Sequence, residues 1–454
     1  MTIFATRALL ETGWAQNVRL QIEGGRITAL VIDATRQPSD CRVDTLLPAL
    51  ANLHSHSFQR AMAGMTEHRS EGRDSFWTWR ALMYEFLDHL TPAHISAFAG
   101  QTFMEMQLAG YASVGEFHYV HHQKGGTPYD DPAELSLQIM SAAEVTGIGL
   151  THLPVLYTYG GIGGQALNGG QMRFRHSVQE FADLVARCRQ ARNDLPADTR
   201  VGIAPHSLRA TVPDELREVL QVQHDGPVHM HIAEQVKEVE DVQAALGARP
   251  VEWLLDHAPV DDRWCLIHAT HMTAVETIQM AKSGAVAGLC PITEANLGDG
   301  IFNGATYLEH GGAFGLGSDS NVNISLAEEL RSLEYSQRLR DQRRNVLTHD
   351  GGSTGDTLYL GAATGGAQAL GRDAGRIAVG ALADLVAIDS ADPALCALSA
   401  RQLLDGLVFA AKDRVVTDLW SAGRHQVRNG HHIRQDEITG QYRAAIADLT
   451  ARLR

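Results

Sequence analysis

The stretch LLPALANLHSH, residues 46–56, decides the fold because it is an apolar run that ends in two histidines. Apolar runs of this length are typical of strands buried in a parallel sheet. Comparable runs recur along the chain, and amphipathic stretches such as Val236–Leu246 and Ala274–Ser283 lie between them. The predicted strands are Leu46–His56, Ser113–His121, Gly149–Tyr157, Arg200–Ser207, Pro227–Glu234, Trp264–His271, Ala285–Pro291 and Gly312–Asp319. These eight strand-and-helix units predict an α/β fold, a (β/α)8 TIM barrel.

Both ends of the chain have a different texture. Trp14–Ile22 and Arg26–Ile32 are short strand-like runs joined by a Glu-Gly-Gly turn, which predicts a hairpin. Arg376–Asp389 and Val415–Asn429 also alternate apolar and polar residues around glycine turns. We therefore expect a small β-sandwich domain that is formed by the two termini together. The predicted division of the chain is 1–46 with 375–454 for the small domain, and 47–374 for the barrel.

Composition narrows the classes of protein. The chain has 454 residues, 38 Lys and Arg against 53 Asp and Glu, and a net charge of −15, which argues against nucleic acid or an anionic membrane as the partner. No apolar run is long enough to predict a transmembrane helix, and the first residues do not have the order of a signal peptide. The five cysteines are scattered without a CxxC pair. We expect a cytoplasmic protein with reduced thiols and without a cysteine-type zinc site.

Ionisable residues cluster where the predicted strands end. His54 and His56 end the first strand, and their i, i+2 spacing directs both imidazoles to one side. The fifth strand has two histidines in VHMHIAE, the sixth has two in LIHATH, and the eighth ends in GLGSDS. The carboxyl ends of barrel strands form the face on which active sites lie. These side chains are therefore expected to converge there.

Imidazole nitrogen and carboxylate oxygen are zinc ligands, and a catalytic zinc site keeps one position for water. The predicted ligands of a single divalent metal are His54, His56, His231 and Asp319. His231 is preferred to His229 because it lies nearer the strand end, although their parity leaves both open. The fourth strand ends in APHSLR without a lysine that could bridge two metals, so we expect one metal per chain. Zn²⁺ is favoured, and Fe²⁺ and Mn²⁺ stay open.

This combination of residues resembles the amidohydrolase superfamily, and the closing segment GRIAVGALADLVAID resembles the return of that superfamily into its small β domain. Within it, nearly the whole chain is similar to the N-formimino-L-glutamate deiminase (formimidoylglutamate deiminase, or iminohydrolase) family. The matching stretches are NLHSHSFQRAMAG (Asn52–Gly64), DSFWTWRALMYEF (Asp74–Phe86), EFHYVHH (Glu116–His122), HSLRA (His206–Ala210), HIAEQ (His231–Gln235), CLIHATH (Cys265–His271) and TEANLGDGIF (Thr293–Phe302). One departure is PALANLH (Pro48–His54), where the superfamily usually has Gly after Pro.

The resemblance implies hydrolysis of N-formimino-L-glutamate to N-formyl-L-glutamate and ammonia in histidine degradation, by a homodimer. The implied substrate contacts are Gln59, Arg80, Tyr119, His206 and Arg209. The physical chemistry agrees, because the substrate is a small dicarboxylate amidine and guanidinium groups bind carboxylates through paired hydrogen bonds. Which arginine holds which carboxylate stays open.

Three residues are expected to handle protons. Asp319 binds the metal and accepts a proton from the attacking water, and Glu234 passes a proton to the departing nitrogen. His268 hydrogen-bonds the attacking oxygen or helps to deprotonate it. The division of these transfers among the three residues is open.

Two alternatives remain at this stage. A deaminase of a nucleobase or another aromatic amidine, similar to guanine deaminase, would use the same metal ligands. Such an enzyme needs stacking walls and an amide that reads a carbonyl group, whereas Arg80 and Arg209 favour a dicarboxylate. A non-catalytic barrel that acts as a scaffold would be expected to have lost metal ligands, and this chain retains all of them.

Overall fold

The computed structural model describes residues 1–69, 76–222 and 225–453. Its strands are β1 (Thr2–Leu10), β2 (Gly13–Glu23), β3 (Arg26–Val31), β4 (Cys41–Pro48), β5 (Leu50–Ser55), β6 (Tyr111–His118), β7 (Gly149–Leu156), β8 (Arg200–Val201), β9 (Ala204–Pro205), β10 (Val228–Ile232), β11 (Trp264–His268), β12 (Val286–Leu289), β13 (Ala313–Leu316), β14 (Leu385–Ile388), β15 (Val416–Ser421), β16 (Arg424–Arg428) and β17 (His431–His432).

Most helices lie between successive barrel strands in the chain, and the last two, near the C-terminus, lie among and after the final strands of the small domain. They are α1 (Phe76–Leu87), α2 (Pro92–Ala109), α3 (Glu134–Thr146), α4 (Val178–Arg192), α5 (Pro213–Val219), α6 (Val236–Leu246), α7 (Pro250–His257), α8 (Ala274–Lys282), α9 (Pro291–Leu297), α10 (Gly304–Glu309), α11 (Leu326–Asp341), α12 (Thr354–Ala369), α13 (Leu403–Phe409) and α14 (Gln435–Arg452). Short 3-10 helices cover Ser57–Met62, Lys124–Gly126, Gly169–Phe174, Ala400–Gln402 and Asp413–Val415.

The barrel is a ring of parallel strands. Its order is β10-β11-β12-β13-β5-β6-β7-β8, and β9 also pairs with β7. A parallel bridge between Ile203 and Val228 joins the β8–β9 segment to β10 and closes the ring. That segment is the fourth predicted strand, interrupted at Gly202, where a Cβ atom would lie 2.6 Å from the carbonyl oxygen of Pro227. The predicted (β/α)8 barrel is confirmed.

All the barrel strands end one to three residues earlier than the sequence predicts. The strands β10, β11 and β13 stop two or three residues before the predicted ends, within the segments that carry the functional candidates. Ala233, His268 and Asp319 have φ angles of +50°, +68° and +47° there. Residues other than glycine rarely adopt this left-handed backbone conformation, which costs roughly 1–2 kcal/mol per residue. The backbone therefore leaves the extended conformation where the site begins.

The small domain is a curled sheet built from both ends of the chain. Its order is β17-β16-β15-β14-β4-β1-β2-β3, and β2 with β3 forms the predicted hairpin. The hairpin turn bends back onto a later segment, since the N–H of Ala383 donates to the Gly25 carbonyl at 2.9 Å. The two halves of the sheet share one apolar cluster that includes Ile3, Val18 and Trp420. The predicted small β domain from both termini is confirmed, and its residue boundaries stay a prediction.

Buried ion pairs join the small domain to the barrel. The guanidinium group of Arg372 lies 3.0 Å from Asp384 and 3.1 Å from Asp198, and Arg424 of β16 lies 2.7 Å from the same Asp198. The C-terminal helix α14 packs on α2 of the barrel, where His94 of α2 lies 2.9 Å from Asp448 of α14. Polar contacts as well as apolar packing therefore connect the two parts.

Two predictions from composition can be compared with this fold. Within the described ranges, none of the helices has the length and apolar character needed to cross a bilayer. The five cysteines are free thiols in the structure: Cys41, Cys188, Cys265, Cys290 and Cys396.

A second group of buried histidines lies on β6 and β7 and in the loops that follow these strands. Ring contacts run from His152 to His118, then to His121, His176 and His122, with centroids 4.6 to 5.6 Å apart. Burial lowers the pKa of His152 and of His176 to about 3. These imidazoles are therefore neutral in the folded protein at neutral pH.

We expect this cluster to make stability depend on pH below neutrality. A neutral buried histidine stabilises the fold fully above pH 6.5, and that contribution is lost as pH falls from 6.5 towards 3, because the unfolded chain binds the proton more readily. The variant His152→Leu should lose less unfolding free energy between pH 7 and pH 5 in urea titrations than the wild type. His431→Leu, at an exposed position, is the control and should retain the wild-type pH dependence. Equal pH dependence in all three proteins would contradict this account.

Candidate active site

Four of the predicted side chains meet at the carboxyl end of the barrel. The ligand atoms of His54, His56, His231 and Asp319 all lie within 4.8 Å of one another, and all four residues are buried. Nε2 of His56 is 3.3 Å and Nε2 of His54 is 3.4 Å from Oδ1 of Asp319. Nε2 of His231 is 3.1 Å from Nε2 of His54. Donors at these separations can surround one metal ion.

The backbone orients two of these imidazoles. Nδ1 of His56 lies 2.9 Å from the Phe117 carbonyl oxygen, and Nδ1 of His231 lies 3.1 Å from that of His206. When each Nδ1–H donates to its carbonyl, Nε2 presents a lone pair to the cluster, as a metal ligand must. Burial lowers the pKa of both imidazoles and lowers that of His54 to about 3, which favours the neutral form that binds metal.

Hydrogen bonds hold Asp319 in place. The Asn52 amide donates to Ser318 Oγ at 2.6 Å, Ser318 Oγ donates to Asn321 at 2.6 Å, and Asn321 donates to the Asp319 carbonyl at 3.0 Å. Burial opposes ionisation of Asp319, but the hydrogen bond from His54 and the nearby imidazoles lower its pKa below the usual range. Neutral imidazoles and an ionised carboxylate are together the ligand forms that a divalent cation requires.

The other histidines of the fifth and sixth strands are bound elsewhere. Nε2 of His229 lies 2.7 Å from the carbonyl oxygen of Ala369, at the end of α12. Nε2 of His271 lies 2.8 Å from the carbonyl oxygen of Asp299. Of the two candidates that the parity of the fifth strand left open, the structure brings His231 into the cluster.

His268 lies beside the cluster among three carboxylates. Its Nδ1 is 3.2 Å from Glu294, and its Nε2 is 3.9 Å from both Glu234 and Asp319. Burial disfavours the imidazolium, but these carboxylates raise the pKa of His268 to about 10. Burial raises the pKa of Glu234. A hydrogen-bond donor and a carboxyl group with a raised pKa therefore stand next to the predicted metal position.

A pocket with an empty volume of about 540 Å³ opens above the cluster. It is lined by every predicted site residue except His54, which lies beneath. Tyr119 receives a hydrogen bond from the Gln59 amide at 2.7 Å, and both side chains are buried. The His206 ring lies 4.6 Å from that of Tyr157 and 4.8 Å from that of His231, so it forms part of the wall.

Two guanidinium groups face this pocket from different elements. Arg209 follows β9, lies 3.3 Å from Glu234 and 3.7 Å from Glu238, and is nearly buried. Arg80 is on α1, where its Cζ atom lies 4.8 Å from the ring centroid of Trp77 and 5.5 Å from that of Tyr84. The carboxylates near Arg209 balance its charge, whereas Arg80 is held over aromatic faces.

Helix α1 covers the mouth of the barrel. It contributes Phe76, Trp79, Met83 and Tyr84 to the pocket wall besides Arg80. The buried guanidinium group of Arg173 holds the end of this helix by donating to the carbonyl groups of Leu87 and Leu90. The quoted stretch from Asp74 to Phe86 covers this helix except for Leu87, and the first two residues of the stretch lie outside the described residues.

Comparison with known proteins gives two family matches. A family model described as the amidohydrolase family matches residues 45–425, and one described as the N-terminal domain of formimidoylglutamate deiminase HutF matches residues 1–44. The chain belongs to the amidohydrolase family. The resemblance stated from the residues of the strand ends is therefore confirmed.

One curated relative and two solved structures are similar to this chain over nearly its whole length. A formimidoylglutamate deiminase from Pseudomonas aeruginosa is 49% identical over 450 residues, which cover 98% of this chain and 99% of the relative. The crystal structure of an amidohydrolase from Brucella melitensis has a TM-score of 0.94 and 48% identity, and 99% of each chain is covered. An adenosine deaminase from Xanthomonas campestris, solved with bound zinc, has a TM-score of 0.82 at 20% identity over 99% and 98% of the two chains, which shows the fold alone.

Sequence reasoning missed several residues of the site. Glu294 contacts His268, and it lies in TEANLGDGIF, a stretch that was singled out without a role for the carboxylate. Glu238 accepts a hydrogen bond from the backbone N–H of Glu234 at 3.1 Å. Phe174 reaches the pocket from a 3-10 helix that follows a glycine-rich loop. Glu294 could have been found from the sequence, because it is a carboxylate within a matching stretch. Glu238 and Phe174 could not, because their contacts depend on the fold.

We expect Gly317→Ala to weaken metal binding. A methyl group at position 317 would lie 2.7 Å from both Cβ and the carbonyl oxygen of His54, so His54 must shift. Changes in the support of a metal ligand typically reduce metal affinity about 10- to 100-fold. Elemental analysis and zinc titration against a competing chelator should show this loss. The control is Gly440→Ala, where nothing lies within 4 Å of the added Cβ atom. Wild-type zinc affinity in Gly317→Ala would contradict the assigned geometry.

Proposed function

We propose that this protein is a formimidoylglutamate deiminase, which hydrolyses N-formimino-L-glutamate to N-formyl-L-glutamate and ammonia. The observation that carries this conclusion is one pocket that opens onto the His-His-His-Asp cluster and is lined by two guanidinium groups. Hydrolysis of the formimino group needs a nucleophilic water at the cluster. The two carboxylates of the same substrate each need a cation that binds them. The full-length similarity to the Pseudomonas aeruginosa deiminase supports the same activity.

Substrate binding follows from the lining of the pocket. We assign Arg80 and Arg209 to the two carboxylates, because a guanidinium group can form two parallel charge-assisted hydrogen bonds with a carboxylate. Gln59, Tyr119 and His206 are assigned to polar contacts with the rest of the substrate. The apolar side chains of α1 exclude water from the bound amidine and strengthen these interactions.

The donor set of three imidazoles and one carboxylate fits a catalytic zinc ion. His54, His56, His231 and Asp319 would hold this ion, which would supply a bound water of lowered pKa as the nucleophile at neutral pH. The neighbouring residues then manage protons. Asp319 accepts a proton from the attacking water, and His268 donates a hydrogen bond to the oxygen that adds to the formimino carbon. Glu234 carries protons to the departing nitrogen, which in all gains both hydrogens of the water. As the C–N bond breaks, the added oxygen forms the C=O bond of the formyl group and ammonia leaves.

Three finer assignments belong to this proposal. We infer one divalent metal per chain and prefer Zn²⁺, with Fe²⁺ and Mn²⁺ as the ions to be distinguished by elemental analysis. We infer a cytoplasmic location, which the free cysteines support because reducing compartments keep thiols unpaired. We infer a homodimer from the family resemblance, and analytical ultracentrifugation tests it.

The test of the activity is ammonia release from N-formimino-L-glutamate, with guanine and cytosine as control substrates. A deaminase of aromatic bases is the alternative, and the aromatic side chains in the pocket wall would suit it. The two guanidinium groups have no role in binding a neutral base. Turnover of guanine without turnover of the dicarboxylate amidine would reject the proposal.

Glu234→Gln should lose most of the turnover while it keeps its metal. The amide preserves the shape of the side chain but cannot carry a proton, and proton-transfer groups typically contribute about 10²- to 10⁴-fold to the rate. We therefore expect kcat to fall by about that factor in a steady-state ammonia assay. Glu240→Gln, at an exposed position on α6 just after Glu234, is the control and should retain wild-type kcat. Full turnover in metal-loaded Glu234→Gln would show that Glu234 is not the proton carrier.

A second experiment assigns each carboxylate to its arginine. Arg80→Met and Arg209→Met should each lower kcat/KM by about 10- to 100-fold, since a hydrogen bond to a charged group contributes about 1.5–3 kcal/mol. The two variants are compared on N-formimino-L-glutamate and on N-formimino-4-aminobutyrate, which lacks the α-carboxylate. The variant that has lost the partner of the α-carboxylate should no longer discriminate between these substrates. If both variants discriminate as the wild type does, neither arginine binds that carboxylate.

A further inference from the structure

A second pocket lies on the face of the barrel where the strands begin. It has an empty volume of about 1230 Å³, and its wall includes Arg200 at the start of β8 and Pro227 just before β10. The metal-ligand cluster lies at the opposite, carboxyl ends of the strands. This pocket is therefore separate from the candidate active site.

Three arginines contribute to the wall of this pocket. Arg189 and Arg192 are one turn apart on α4, and Arg200 approaches from β8. Nε of Arg192 and Nη1 of Arg200 both donate to the carbonyl oxygen of Thr199, each at 3.1 Å. Two guanidinium groups that share one oxygen are close neighbours, and their like charges repel.

Carboxylates do not balance these charges within the described part of the chain. None of the three arginines has a carboxylate within 4.0 Å there, although Asp225 is on the pocket wall. Asp198, the nearby buried carboxylate, is already bound by Arg372 and Arg424. Burial and the charges of Arg192 and Arg372 lower the pKa of Arg200, and the charge of Asp198 opposes this only in part.

An uncompensated group of cations is unusual in a chain with a net charge of −15, and a bound anion would relieve the repulsion. Guanidinium groups bind phosphate and other oxyanions through paired hydrogen bonds, and three arginines from two elements can contact one such group from different sides. We propose that this pocket binds a phosphate group through Arg189, Arg192 and Arg200. The bound anion links α4 to β8, next to the ion pairs that join the small domain to the barrel.

Thermal unfolding of the full chain with inorganic phosphate tests this site. The wild type should show a saturable rise in Tm that sodium chloride at the same ionic strength does not produce, and calorimetry should give one site per chain. Arg192→Gln and Arg200→Gln should each weaken phosphate binding by about 10-fold or more, because each removes a charge-assisted contact. Arg187→Gln, on the same helix but bound to Asp131, is the matched control and should bind phosphate as the wild type does.

Phosphate at the barrel mouth must be distinguished from phosphate at this pocket. Arg209→Met removes a cation from the mouth and should leave the effect of phosphate on Tm unchanged. Loss of the effect in Arg209→Met, or its persistence in Arg192→Gln and Arg200→Gln, would overturn the proposal. An equal effect of chloride or of succinate at matched ionic strength would also overturn it. These measurements do not depend on turnover, so their failure is independent of the proposed deiminase activity.

Discussion

The structure depends on one electrostatic constraint at the ends of the barrel strands. Neutral imidazoles and an ionised carboxylate must stay together away from water, where burial opposes every charged form. Backbone carbonyl groups fix the Nδ1 atoms of His56 and His231, and the hydrogen-bonded Asn52 and Ser318 support Asp319. Ala233, His268 and Asp319, which have left-handed φ angles, belong to the same arrangement because the chain turns away from the strand direction at these residues.

Around that cluster, buried cationic side chains lie next to buried carboxylates. His268 lies among carboxylates, and Arg209 lies between Glu234 and Glu238, so each buried charge has an opposite charge near it. Breaking such a pair costs more than the pair contributes, since the remaining charge stays buried. Arg80 differs, because its guanidinium group rests on aromatic rings of α1. Binding of an anionic group at the mouth therefore involves one cation that is already paired and one that is free of carboxylates among the described residues.

The two faces of the barrel have different electrostatic character. The carboxyl face concentrates histidines and carboxylates around one point, whereas the amino face carries arginines that bind backbone carbonyls or the buried Asp198. The small domain attaches beside the amino face through Arg372 and Arg424. Chemistry and structural support are thus separated along the barrel axis, as is general for this architecture.

The sequence alone determined the barrel, the hairpin at the first terminus and the residues that meet at the strand ends, because periodic apolar runs and HxH spacing are local features. It favoured His231 over His229 because His231 lies nearer the strand end, but it did not exclude His229, since both residues have the same strand parity. The tertiary structure placed His229 against α12, brought Glu294 to His268 and set α1 over the mouth. These contacts join residues that are distant in the chain, so they depend on how elements pack rather than on any local pattern.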